Sequence, residues 1–472
     1  MSTAREATGT TRRSLVLNAG VLGAAGLLAA CGAGGGGQEA GAGTNPTARL
    51  KGNIRLSVWG AVYEDELYTA HYIPEFQRQF PEVQVEFIRP AGNYRQALET
   101  AHAGGEAPDV MRQHAADAGH YVKSGMDRPL DEYIKVEKFN REDFYPHHWP
   151  HLIYNGKTYG IPQDTNQTGA YANRRLFQEA GLKVPDENYS YEQLVKDARA
   201  LSKTNATGNK QYALVAGYGI GLFYPLVFAQ GGRVYKDAEK KEILLSSEPF
   251  LKAAEFFKRN LVDPGYMPTP ETLTERGGAV RMFYTGEAAI LFDGTHRAPF
   301  TLKEAPDVDW VAIPYPTFGQ TKKTIAGFPY WSVWSQSKAP DAAAKMIFHM
   351  QSGDGPIKYW QLLWVAAPAN KSAVKSPAFK KVPGMPGHIP SLSSEKEWQE
   401  KCAWQAWTLD RSEKTGTGNV IETEHISQWG PIIGTETGAR VAKIFATTEP
   451  VRAKDALEDA TRAINGYIKQ HG

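Results

Sequence analysis

Residues 51–88 read KGNIRLSVWGAVYEDELYTAHYIPEFQRQFPEVQVEFI. Ile54, Leu56 and Val58 alternate with polar neighbours, which predicts a strand running into Trp59-Gly60. Tyr63 to Phe80 has a helical pattern in which Pro74 should cause a kink or a split, and Pro81 stops it. Val83, Val85 and Phe87 then alternate as a second strand. Beyond the quoted stretch, Tyr94 to Ala103 reads as a helix closed by Gly104-Gly105. Pro108 to Met111 reads as a short third strand, with helix onward to Lys123 and Gly125. Strand, helix, strand, helix, strand predicts a parallel sheet with right-handed crossovers, so the expected class is α/β.

The alternation resumes downstream. Thr168 to Ala172 is a candidate strand, followed by helix to Ala180-Gly181. Ser190-Tyr191-Glu192-Gln193 has the form of a capping box, opening a helix to about Ser202. Ser247-Glu248-Pro249 starts another. Arg276 to Tyr284 is expected to be helical, Ala288 to Phe292 a strand ending at Asp293-Gly294, and Val451 to Ile468 an amphipathic helix.

Composition narrows the function. The chain has 472 residues, enough for two or three folding units, with 42% hydrophobic and 22% charged residues. Lys and Arg number 53 against 51 Asp and Glu, a balance that excludes nucleic-acid binding by bulk electrostatics. Two Cys cannot make a disulfide framework or a four-Cys zinc site. No apolar run reaches the roughly 20 residues of a spanning helix.

Residues 1–30 read as an export signal. Arg5, Arg12 and Arg13 precede an apolar stretch from Ser14 to Ala30 (SLVLNAGVLGAAGLLAA), which ends in small residues before Cys31. Thr11-Arg12-Arg13-Ser14-Leu15 resembles a twin-arginine motif, although the general secretory route stays open. Leu28-Ala29-Ala30-Cys31 resembles a bacterial lipobox, which implies a diacylglyceryl group on Cys31 and attachment to the outer face of the cell membrane. Residues 31–50 include Gly32 to Thr44 (GAGGGGQEAGAGT), a flexible tether. Cys402 is then expected to be a buried free thiol.

The landmarks of the body resemble, in order, the extracellular solute-binding proteins of ABC importers (family 1, maltose-binding-protein-like). They are the strand ending at Trp59-Gly60, Phe76 to Phe87 (FQRQFPEVQVEF) and Ala107-Pro108-Asp109-Val110. Tyr159-Gly160-Ile161-Pro162, Tyr171-Ala172-Asn173 and Gly286-Glu287-Ala288-Ala289 follow. Phe292-Asp293-Gly294, Gly327-Phe328-Pro329-Tyr330-Trp331 and Ala367-Pro368-Ala369-Asn370 complete them. The resemblance implies a two-lobe periplasmic-binding fold of type II with the ligand between the lobes. One lobe would hold 51–164 and 327–376, the other 165–326 and 377–472. It also implies a monomer without cofactor or enzymatic activity, handing its ligand to an ABC permease.

A neutral sugar needs an aromatic ring against its apolar face and Asp, Asn, Gln or Arg around its hydroxyls. Strand ends matching the family's cleft positions supply the candidates: Trp59, Gln113, His114, Asp164, Asn166, Tyr224, Asp293, His296, Tyr330, Trp331 and Trp364. Substituting Trp331 or Asp293 is expected to weaken binding without unfolding the chain. Gln113 and His296 stand where the maltose-binding pattern has aromatics, so maltose itself is not implied. The alternative is a non-sugar solute such as a peptide, polyamine or glycerophosphodiester. A carbohydrate-active enzyme is a more distant alternative, because no nucleophile elbow or Walker loop is present. His147-His148-Trp149-Pro150-His151 is expected to be a solvated loop and no metal site, since Pro150 prevents a regular helical histidine face.

Overall fold

The computed structural model describes residues 50–204, 208–319, 321–415 and 421–472. The export signal, Cys31 and all but the last residue of the tether therefore lie outside the described residues.

The opening stretch folds as its pattern dictates. Gly52–Ser57 and Val83–Ile88 pair in parallel, with Ile54 opposite Val85, and Leu56 pairs in parallel with Val110 of the strand Val110–His114. Ile54, Leu56 and Val58 are buried. The helical stretch between the first two strands is split into a 3-10 turn at Val62–Glu64, a π-helical segment at Leu67–Tyr72 and an α-helix at Ile73–Gln79. Pro74 is the second residue of the last piece, at the point where the π-helical segment passes directly into the α-helix.

The three opening strands pair in parallel as expected, and later strands make the sheet mixed. Its five strands run in the order Val83–Ile88, Gly52–Ser57, Val110–His114, Pro329–Val333, Ile161–Pro162. Pro329–Val333 is antiparallel to Val110–His114, setting Tyr330 opposite Gln113 and Trp331 opposite Arg112. The chain re-enters here from the second sheet, at the end where Val110–His114 leaves off, and so must run the other way.

The second sheet is built around the ten-residue strand Asp164–Asn173. Ala288–Gly294 is antiparallel to it, placing Asp293 opposite Gly169, and is itself parallel to Lys210–Val215. Thr324–Gly327, Trp310–Ile313 and Ala367–Pro368 also pair with this central strand. A Cβ on Gly169 would come within 2.5 Å of the Trp404 ring, so this glycine lets the indole lie against the strand.

Three local expectations shift. Ser190 caps the helix Tyr191–Leu201 through Gln193 N, but the Gln193 side chain turns to Asp197, leaving half a capping box. The helix expected from Arg276 starts at Ala279, because Gly277 (φ 81°) and Gly278 (φ 95°) take left-handed backbone that breaks it. The solvated histidine loop is corrected: His147, His148 and His151 are buried in a 3-10 segment, Pro146–His151. His148 bonds Tyr145 O and Thr165 Oγ1, and its ring packs edge-on against Phe328. Cys402 is fully buried, and that burial raises its thiol pKa.

Candidate ligand-binding cleft

Two adjoining cavities open where the cleft-facing ends of both sheets meet. The first, about 370 Å³, is lined by Trp59, Tyr63, Glu64, Arg112, Asp164 and Tyr359, with Phe300, Val365 and Ala366 among its apolar walls. The second, about 330 Å³, is lined by Thr168, Gly217, Gly221, Phe292, Asp293 and Tyr315, among others. Asn166 and His296 line both. Each volume falls at the small end of the roughly 300–1,000 Å³ typical of small-molecule sites.

Arg112 organises the first cavity. Its buried guanidinium donates to Trp59 O (2.9 Å), Glu64 Oε2 (2.7 Å) and Gln163 Oε1 (2.8 Å). It also lies 4.9 Å from the centre of the Trp59 ring, a cation–π arrangement that fixes the half-buried indole. The His114 ring stands 6.1 Å from that indole. Burial, reinforced by Arg112, lowers the His114 pKa to about 4, so its ring is neutral at pH 7.

Asp164 begins the central strand of the second sheet and accepts the Tyr359 hydroxyl at 2.7 Å. Burial pushes its carboxyl pKa up to about 7, although Arg112 and the Tyr359 bond act to lower it. Asp164 Oδ1 and Trp59 Nε1 are both buried and lack a hydrogen-bond partner among the described residues. Two such atoms in one site are costly unless something else meets them.

In the second cavity the Asp293 carboxylate accepts from Gly294 N (2.7 Å) and Arg297 Nε (2.9 Å). Phe292 packs on Tyr315 with ring centres 4.4 Å apart. Ideal Cβ positions built on Gly217 and Gly221 meet nothing within 4 Å, so the backbone itself faces the cavity there. Tyr63 meets Phe300 edge-on at 5.5 Å, joining elements that flank the two different sheets.

The cavities thus bring together Trp59, Asp164, Asn166, Asp293 and His296 of the eleven candidates. The other six line neither cavity. Gln113 and Tyr330 are buried on the opposite face of the first sheet, both bonded to Asp127. Trp331 packs edge-on against Tyr68, and Tyr224 packs against Phe228 and Phe250. Trp364 is buried with its indole N–H on Pro390 O, and His114 supports Trp59 from the side.

Sequence reasoning missed Tyr63, Glu64, Arg112, Phe300 and Tyr359. Arg112 carried a readable signal. Successive side chains of a strand face opposite ways, so Arg112 and Gln113 could not both face the cleft. Phe300 and Tyr359 lie on helices and reach the site only through tertiary packing.

Comparison with known proteins places this geometry. A profile of bacterial extracellular solute-binding proteins matches residues 71–387. The multiple sugar-binding protein of Streptococcus mutans is 22% identical over 298 residues, covering 61% of this chain and 69% of that protein. An ABC substrate-binding protein of Listeria monocytogenes, solved with cycloalternan, superposes with TM-score 0.72 at 19% identity, over 89% of this chain and 99% of that one. The sugar-binding protein MalE of Xanthomonas citri superposes with TM-score 0.70 at 17% identity, over 89% and 98%. These likenesses give the fold as the two-lobed binding-protein architecture. With two thirds of its length matched by the profile, the chain belongs to the bacterial extracellular solute-binding proteins.

Proposed function

We propose that this protein receives an uncharged carbohydrate in the cleft and delivers it to an ABC permease without bond chemistry. One observation carries the reading: Arg112 and Asp293, which line the cleft, are already paired within the protein, while an indole faces the same space. Arg112 is matched by Glu64, and Asp293 by Arg297. An anionic solute would meet no unpaired arginine there. A sugar would place its apolar face on Trp59 and its hydroxyls on Asp164, Asn166, Asp293 and His296, where they would also meet the unpaired Trp59 Nε1 and Asp164 Oδ1. The cycloalternan held by the Listeria monocytogenes protein and the sugar-binding description of the Xanthomonas citri one support the same class.

The lobes would be 51–164 with 327–376, and 165–326 with 377–472. Strand pairing supports this division, with Ala367–Pro368 bridging to the central strand at Thr165 and Asp164. Ligand touching both lobes would favour a closed form, which the permease would recognise. The resemblance of Leu28–Cys31 to a lipobox supports a lipid anchor on Cys31 and an extracytoplasmic receptor. Labelled palmitate should be incorporated by the wild type and lost in Cys31→Ala; incorporation by the variant would remove the anchor from the account.

A thermal-shift screen of mono- and oligosaccharides against peptides, polyamines and glycerophosphodiesters tests the ligand class. A ligand bound only by the native state raises the melting temperature, and a saccharide should do so. A rise confined to a charged solute and abolished by salt would overturn the reading.

A further inference from the structure

The two cavities share one pair of lining side chains. Asn166 Nδ2 points at His296 Nδ1 across 3.4 Å, and both residues line both spaces. The two partners differ in how firmly they are held. Asn166 accepts the Thr295 hydroxyl at 2.8 Å and belongs to the central strand of the second sheet. His296 sits at the N-cap of the helix Arg297–Glu304 with 42% of its side chain exposed. Its other nitrogen is 3.7 Å from Asp293, whose second oxygen is already engaged by Arg297. A 3.4 Å contact on one side and a 3.7 Å contact on the other are weak restraints.

Gly294 makes the contact possible. A Cβ built there would lie 2.7 Å from His296 Nδ1, 2.9 Å from its Cε1 and 3.1 Å from Asn166 Oδ1. Its φ is outside the left-handed region, so the glycine is required by space alone and not by backbone conformation. The strand end is pared down at the one place where a side chain would push the imidazole away from Asn166.

We infer that His296, closing against Asn166 in the space left by Gly294, is a gate that sets how many sugar rings the cleft accepts. With the gate shut, a single ring occupies one compartment. A ligand of two or three linked rings has to turn His296 aside, spending its contacts with Asn166 and Asp293, before the linkage can cross between compartments. His296 is therefore a specificity residue: it disfavours longer ligands relative to shorter ones. This inference rests on the carbohydrate reading above.

The test measures affinities of the full chain and two variants for glucose, galactose and xylose and for their di- and trisaccharides. His296→Ala removes the gate. Gly294→Ala wedges it open, and because the clash is with the movable end of a side chain, the strand can stay intact. Both should raise the ratio of trisaccharide to monosaccharide affinity by about 3- to 10-fold, the worth of one or two weak hydrogen bonds. His296→Gln, which can restore a bond to Asn166, should bring the ratio back toward the wild type. Saccharide binding with an unchanged ratio in both alanine variants would overturn the gate and leave the carbohydrate reading standing. Absence of binding to every saccharide by the wild type and both variants would overturn the two together.

Discussion

Trp331 and Trp59 are the same residue type, yet burial gives them different work. Trp331 is 1% exposed in the middle of a sheet and touches Tyr68, whereas Trp59 stays half-buried at the cleft on its Arg112 support. Trp331→Ala should therefore act first on stability, lowering it by about 3–5 kcal/mol in a urea titration. That replaces the sequence-based expectation that this substitution leaves the fold intact. Asp164 carries a pH prediction. Its folded pKa of about 7 lies above the ordinary 3.8, so the stability it contributes is present below the ordinary value and is lost as pH rises through about 7. His114, lowered to about 4, works in the opposite direction and penalises the fold as pH falls below 6.5. The difference between wild type and Asp164→Asn cancels that histidine contribution. Wild type should lose stability relative to the variant between pH 5 and pH 8.5; a pH-independent difference would show that Asp164 titrates normally.

At the scale of the element, the pattern of side chains carried most of the information. Ile54, Leu56 and Val58 alternate because one face of the strand is buried, so the first sheet was legible from three residues. Pro74 was legible as a disturbance of regular helical bonding, and the helix changes from π to α there. What was not legible depended on partners far along the chain. Nothing near Gly327 announces that the next strand enters antiparallel, and nothing near Tyr359 announces Asp164 as its acceptor, 195 residues away. The half-formed capping box belongs here too. Ser190→Ala should cost about 1 kcal/mol, since the Ser190 Oγ bond to Gln193 N is present at 3.0 Å. Gln193→Ala should cost no more than its outward bond to Asp197, about 0.5–1.5 kcal/mol in chemical denaturation.

On the scale of the molecule, two sheets place their loop-bearing ends against one another, and the candidate site is what those ends share. Five of eleven sequence candidates fall on that shared surface because strand ends were the right place to look. Of the remainder, Gln113, Tyr330 and Trp331 are buried on strands, His114 stands beside Trp59, and Tyr224 and Trp364 are buried at helix ends, placements that the residue type alone does not reveal. The central claim is that the cleft grips an uncharged ring on Trp59, with Arg112 and Asp293 already paired within the protein. Calorimetric titration of the saccharide that most stabilises the protein, at low and high salt, in wild type and Trp59→Ala, tests this most directly. The account predicts a wild-type affinity indifferent to salt and a loss of about tenfold or more in the variant, which should remain folded. Equal affinity in both proteins, or a wild-type affinity that collapses with added salt, would contradict it.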